Sequence, residues 1–368
     1  MLPATRQTLT LFLGWFLILN LFALAANNRL RLPTDTAYHW IESNPAVFHQ
    51  EQSWDPVEQH HHWDSYWYLD IAQHGYRYEG PSHISNIAFF PLYPALIRAV
   101  SALGVAPALA GWLISAVALL LALFQLQALV REHHPELDPR QAQVFLLLFP
   151  TAFFLNAVYT ESLFLLLSLL CFRQMLAGRF ALAGAIGVAA ACTRVTGLLL
   201  VVPLALEYYR RHGFTWRWRE LPFVFLPALG TAGFFAYHGL AFGDVTAWLK
   251  VEAAWGRGFS MTNFQWHNPA AIVNQSLDFL FLAFAIAVVI GVWRRFRPSY
   301  AFYMLATLAV ALSSGTTMSL NRYLLVLFPI YLFAASLRGA DARHVWQFTS
   351  TLLLALTTLL FVNGHWAG

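Results

Sequence analysis

The sequence predicts an all-α polytopic membrane protein with about eleven transmembrane helices, and three observations predict it. Of the 368 residues, 58% are apolar and only 11% charged, and the mean hydropathy is +0.54; a soluble domain carries about twice that charge. Apolar runs long enough to cross a hydrocarbon core, about 20 residues each, recur throughout the chain. Arginines gather in alternate connections between those runs, as the positive-inside rule requires.

The net charge of +4 does not imply a nucleic-acid partner. Of the 22 basic residues all but Lys250 are arginine, and they are dispersed, so they read as topology signals. Cys171 and Cys192 both lie in apolar runs, where a thiol packs as a small hydrophobe.

The first run, Leu9 to Ala26, follows Arg6 and ends in Ala23-Leu24-Ala25, a sequence that a signal peptidase accepts. Its length favours a retained first span. Further spans are expected at 107–130, 142–158, 160–177, 180–193, 196–209, 221–240, 271–293, 299–313, 322–337 and 345–362. With a cytoplasmic N-terminus, the inside connections hold Arg131 and Arg140, then Arg179, then the group Arg210, Arg211, Arg217 and Arg219. Arg294, Arg295 and Arg297 follow, and then Arg338 and Arg343. The stretch 180–209 is nearly uninterrupted, yet one tilted helix there would invert every later connection against the arginine bias. Two short segments meeting at Thr193-Arg194 are therefore expected, with protein neighbours or a cavity satisfying the backbone at the break.

This topology makes residues 1–368 a single transmembrane domain. It puts 27–86, the Tyr159-Thr160 turn, 242–269, 314–321 and the C-terminal tail on the extracytoplasmic side. The 27–86 loop is far longer than the about 2 to 8 residues that usually join bundled helices, which marks it as functional. Its aromatic content argues against disorder.

Within that loop, HHHWDSYWYLDIAQHGY, His60 to Tyr76, packs three consecutive histidines, two carboxylates and a set of bulky aromatics into one short stretch. A helix over Trp63–Gly75 puts Asp64, Tyr68 and Ile71 on one face and Trp67, Asp70 and His74 on another. The two acids are about 240° apart around that helix, so they have different jobs. An interfacial helix explains the aromatics, which gather at headgroup depth, but it does not explain an acid among them. His60 to His62 are too close in sequence to converge on one ion, and no HxxxH, CxxC or D-x-D spacing lies nearby. No cofactor is indicated, and a divalent-metal requirement is left open.

NIAFFPLYPALIRA, Asn86 to Ala99, follows at once, and its prolines are tolerable only near a helix start, so a short helix should begin between Pro91 and Pro94. Elsewhere Glu161 opens a helix where Thr160 offers a cap, Arg194 lies between two short spans, and Arg322 begins the span NRYLLVLFP. An ionisable group at membrane depth is a functional candidate.

The pieces WDSYWYLDIAQHGY, AFFPLYPALIR, FPTAFFLNAVYTESLF, TRVTG and NRYLLVLFP occur in that order between residues 63 and 330. In them the chain resembles the PIG-V-like mannosyltransferase family, related to the second mannosyltransferase of glycosylphosphatidylinositol assembly and belonging to the GT-C membrane glycosyltransferases. Its short inside connections suit a prokaryotic member. The resemblance implies an inverting transferase that takes a sugar from a polyprenyl-phosphate donor at the non-cytoplasmic face of a lipid bilayer and passes it to a glycan or glycolipid acceptor. In such enzymes an acid in the first outer loop is the catalytic base, which maps onto Asp64. An attacking sugar hydroxyl must lose a proton, so a positioned carboxylate is needed. The leaving phosphate needs fixed cations, for which Arg194 and Arg322 are the outward-facing candidates. Trp63, Trp67, His62, Asp70, Tyr93 and Glu161 are expected at the rim of the site or against substrate. The alternatives are a transporter of lipid or small molecule, supported by the break at Arg194, and a scaffold with a dead transferase site. The acids concentrate in outer loops and no internal repeat is present, which favours the enzyme.

Overall fold

Proline sets many of the points where the apolar runs of this chain start as helices or break. The computed structural model describes residues 3–30, 56–257, 269–315 and 317–368. In chain order its helices are α1 (Pro3–Arg29), α2 (Ser65–His74), α3 (Leu92–Ser101), α4 (Pro107–His133), α5 (Pro139–Leu147), α6 (Glu161–Leu176), α7 (Phe180–Ala191) and α8 (Val201–His212). They continue as α9 (Leu221–Val224), α10 (Pro227–Phe242), α11 (Ala247–Ala254), α12 (Pro269–Arg295), α13 (Pro298–Ser313), α14 (Leu320–Leu325), α15 (Pro329–Ala335) and α16 (Ala340–Val362). No strand occurs among the described residues, and the fold is that of an all-helical membrane protein. Prolines open α4, α5, α10, α13 and α15, at the position where the missing N–H has no intrahelical partner to lose.

Four of these helices, α1, α4, α12 and α16, are long and apolar enough to cross a membrane unaided. Other expected spans are shorter or interrupted, so the eleven runs are not eleven continuous helices. The run 142–158 stops as a helix at Leu147 and resumes as a 3-10 turn, Ala152–Asn156, because the residue before Pro150 avoids helical backbone. The run 322–337 breaks in the same way ahead of Pro329, and 221–240 at Pro227. A nine-residue helix spans only about 13 Å, less than half a hydrocarbon core.

The carbonyls freed at these breaks find partners in the protein. Tyr331 Oη donates to Leu325 O at 2.6 Å, Thr151 Oγ1 to Asn321 O at 3.3 Å, and Thr357 Oγ1 to Pro150 O. That is the condition on which irregular backbone is tolerated at membrane depth. The break expected near Thr193-Arg194 is present: α7 ends at Ala191, and a 3-10 turn, Val195–Leu200, leads into α8. Gly197 is needed there, since a Cβ would collide with the backbone of Ala190.

The core is centred on α4, α6 and α7, with Leu119, Leu123, Leu126, Phe164, Leu165 and Phe172 buried between layers. α2 and α3 pack at one end of this core. Leu92 N, one residue into the expected helix start between Pro91 and Pro94, donates to Cys192 O at 2.8 Å. That bond ties α3 to the break after α7. Of the two long expected loops, residues 31–55 and 258–268 lie outside the described residues.

Candidate active site

The segment before α2 is pinned from three sides, and this fixes Asp64. Val158 N donates to His60 O at 2.8 Å. Tyr159 Oη donates to His62 O at 3.0 Å and accepts from Asp64 N at 3.2 Å. Asp64 then occupies the position just before α2, and the helix is closed at its other end by Gly75 with φ +85, a conformation glycine supplies without strain.

Asp64, Glu161, Arg194 and Arg322 form one connected ionic cluster. Arg322 Nη1 donates to Asp64 Oδ2 at 2.7 Å, while its Nε and Nη2 each lie 2.9 Å from Glu161 Oε1. Arg194 Nη1 donates to the same Glu161 oxygen at 2.6 Å. Two acids balance two guanidiniums, so the buried charge is neutral overall, a condition without which desolvation would be costly. Arg322 lies among aromatic rings, its guanidinium 4.8 Å from the Tyr159 centroid, 4.9 Å from Phe154 and 5.4 Å from Trp366. Arg194 sits 5.4 Å over Tyr323.

Local rules are broken at this cluster. Asp64, Thr160 and Ser319 are residue types that cap helices with their side chains, and each occupies an N-cap position, yet none makes a cap bond. Asp64 turns to Arg322, and Thr160 Oγ1 accepts from Arg194 at 3.5 Å instead. Ser319 Oγ is buried and lacks a hydrogen-bond partner among the described residues. The two described non-glycine residues with positive φ are Trp63, at 59°, and Ser319, at 68°. One directly precedes Asp64, the other stands three residues before Arg322. Left-handed backbone at such residues costs about 1–3 kcal/mol and collects at functional sites.

The cluster opens on a cavity of about 540 Å³ lined by Asp64, Arg194 and Arg322 together with Thr196, Ser319 and Tyr323. Thr196 Oγ1, like Ser319 Oγ, is buried without a partner among the described residues. Another part of the lining is α11 and the turn after it, with Trp248, Glu252, Trp255 and Arg257. These four are not among the residues that the sequence singles out. Their signal was present as a Trp-Glu-Trp spacing of four and three residues, hidden in a segment read as loop. Burial pushes the Glu252 carboxyl up, and Arg257 Nη1, 3.2 Å from Oε2, offsets only part of that. Among the described residues no group of three or more His, Cys, Asp or Glu converges as a metal site.

The other residues expected at the rim do not line the cavity themselves. Trp63 is buried edge-on against Trp366, 5.3 Å between centroids. Tyr93 is fully buried, its hydroxyl 2.8 Å from both Gly111 O and Ser115 Oγ. Trp67 backs the cavity wall, stacked on Phe89 and edge-on to Trp255. Asp70 faces another way, as helical spacing requires. It binds His74 at 3.0 Å, Arg77 at 2.7 Å and Asn86 at 2.7 Å, and these bonds outweigh burial and hold its carboxyl below the usual range.

His60 stacks on Trp112 at 4.5 Å and His62 lies edge-on to Phe361 at 5.4 Å. Burial pushes both rings from 6.5 down to about 3. Between those pH values the unfolded chain binds protons that the folded chain refuses, so stability falls as pH falls, by up to about 1.4 kcal/mol per pH unit for each ring. The melting temperature in detergent is expected to drop between pH 6.5 and pH 5, and the His60→Asn, His62→Asn double variant should flatten that slope. An equal slope in the variant would assign it to other groups.

Comparison with known proteins joins this geometry to a family. The family model described as mannosyltransferase (PIG-V) matches residues 6–211, which include Asp64, Glu161 and Arg194. The chain is 38% identical over 152 residues to the GPI alpha-1,6-mannosyltransferase 2 of Rattus norvegicus, covering 38% of this chain and 30% of that protein. It is 37% identical over 150 residues to its Mus musculus namesake, covering 37% and 29%. The match thus spans less than a third of the length of either relative. More than half of the chain fits the family model, and the chain belongs to the PIG-V mannosyltransferase family.

Proposed function

We propose that this protein is an inverting glycosyltransferase of the GT-C type, a multi-pass membrane enzyme that moves a mannosyl group from a polyprenyl-phosphate donor to a glycan or glycolipid acceptor on the extracytoplasmic face. The observation that carries this reading is the Asp64–Arg322–Glu161–Arg194 cluster at a cavity wall, in a chain of this family. A carboxylate and two guanidiniums are the two kinds of group the reaction needs. Each guanidinium has five N–H groups. Arg322 spends one on Asp64 and one on Glu161, with Nη2 in ion-pair contact with the same Glu161 oxygen, so others remain for phosphate oxygens.

In the proposed step the donor phosphate lies between Arg194 and Arg322. An acceptor hydroxyl attacks the anomeric carbon from the opposite side, and a new C–O bond forms as the bond to the phosphate oxygen breaks. The electron pair leaves on the phosphate, where the arginines stabilise it. The hydroxyl proton passes to Asp64, whose Oδ2 is held by Arg322 while Oδ1 accepts. Glu161 touches neither reactant here; it orients both arginines.

Purified protein supplied with radiolabelled polyprenyl-phosphate mannose tests the reading. Label should leave the donor lipid for an acceptor. Consumption of GDP-mannose in its place would reject the donor class, and neither reaction would favour a scaffold.

A further inference from the structure

The second wall of the cavity has no part in the step just described, yet it is built as a binding surface. Trp248, Glu252 and Trp255 stand at i, i+4 and i+7, one face of α11 continued into its last turn, and all three line the cavity with Arg257. The neighbouring face, about 100° around the helix, fixes that orientation: Ala247 and Val251 are fully buried in a small core with Ile87, against which Trp255 also packs. The rings are locked too. Trp248 Nε1 donates to Ala88 O at 3.1 Å, and Trp255 meets Trp67 edge-on at 5.8 Å and Phe89 at 6.4 Å.

The chemistry of this wall differs from that of the Arg194 and Arg322 wall. Glu252 and Arg257 pair at 3.2 Å and cancel in charge, so they offer no net attraction to an anion. Together they still present spare carboxylate lone pairs and spare N–H groups side by side. A ligand matching them carries alternating donors and acceptors on one side and an apolar face on the other. A pyranoside has this character: its hydroxyls both donate and accept, and its C–H face suits an indole ring.

We propose that the α11 wall is a saccharide subsite that holds the acceptor sugar, with Glu252 and Arg257 bonding its hydroxyls and the tryptophans covering its C–H face. This rests on the transferase reading, with the donor phosphate on the arginine wall and the acceptor hydroxyl between the two. It also assigns a task to a segment that sets an acid, paired with Arg257, between two tryptophans on the cavity lining.

The probe is methyl α-D-mannopyranoside, observed by saturation-transfer NMR with the full chain in detergent micelles. Wild type should transfer saturation to the ring protons. Glu252→Gln should weaken binding about 10-fold, the loss of one charge-assisted bond, while Glu252→Asp recovers part of it. In transfer assays with the same glycoside as acceptor, Glu252→Gln should raise KM about 10-fold with a much smaller change in kcat, the mark of lost ground-state binding. Should Glu252→Gln not fold, Arg257→Gln serves the same comparison. Equal saturation transfer in wild type and variant overturns the proposal, as does a kcat loss at unchanged KM, which would give Glu252 a role in the chemical step. If Asp64→Asn retains full turnover, the transferase mechanism fails, but the NMR comparison still decides whether a saccharide binds this wall.

Discussion

Asp64→Asn is expected to lower turnover by about 10²-fold to 10⁴-fold, the range spanned by loss of a general base, with donor binding largely intact. Asparagine keeps the size of the side chain and one oxygen for Arg322 Nη1, so the ionic cluster loses a charge but not its shape. Asp70→Asn is the matching control. That carboxylate belongs to a different network, with His74, Arg77 and Asn86, and its loss should loosen the segment after α2 without removing a reacting group. Normal transfer by Asp64→Asn beside a dead Asp70→Asn would move the base to Asp70. Full activity in both would make the motif structural.

Arg322→Ala should have an effect of similar size but of two kinds. Charge-assisted bonds to phosphate are worth about 1.5–3 kcal/mol, so donor affinity should fall roughly 10-fold or more. The substitution also strands Asp64 and Glu161 without their shared partner, and breaking a buried pair in this way costs about 3–5 kcal/mol of stability. A thermal melt in detergent reads the second effect, and a donor titration on the folded fraction reads the first. Arg194→Ala separates them further, since Glu161 keeps Arg322 in that variant. Lysine at either position should restore charge but only part of the affinity, because it lacks the planar fork. Unchanged donor affinity in both alanine variants would remove the arginines from the site.

The parts of this molecule legible in the sequence are those set by neighbours along the chain. The break at Thr193-Arg194 followed from arginine parity, and the start of α3 between Pro91 and Pro94 from the missing proline N–H. The divergence of Asp64 from Asp70 followed from helical periodicity. What hydropathy alone did not show were the interruptions ahead of Pro150 and Pro329, because a count of apolar residues is blind to the backbone limits that proline imposes on the residue before it. The ionic cluster was legible only as separate charges. Asp64 and Arg322 are 258 residues apart and Glu161 and Arg322 161 apart, and only the packing of α2, α6 and α14 brings them together. Thr160 looked like a cap for α6, but its hydroxyl serves Arg194, so a local rule yielded to a tertiary contact at the site itself. Tyr93 and Trp63, expected at the rim of the site or against substrate, are both buried in the core, a placement that hydropathy and aromatic content do not distinguish from the rim.

The most direct measurement is a density map of the protein with a non-transferable polyprenyl-phosphonate mannose bound. The expected map has the phosphonate within hydrogen-bond distance of Arg194 and Arg322, the sugar inside the cavity between the cluster and α11, and Asp64 on the side of the anomeric carbon away from the phosphonate. A headgroup bound outside this cavity, or one whose anomeric carbon lies out of reach of an acceptor hydroxyl bonded to Asp64, would contradict the mechanism.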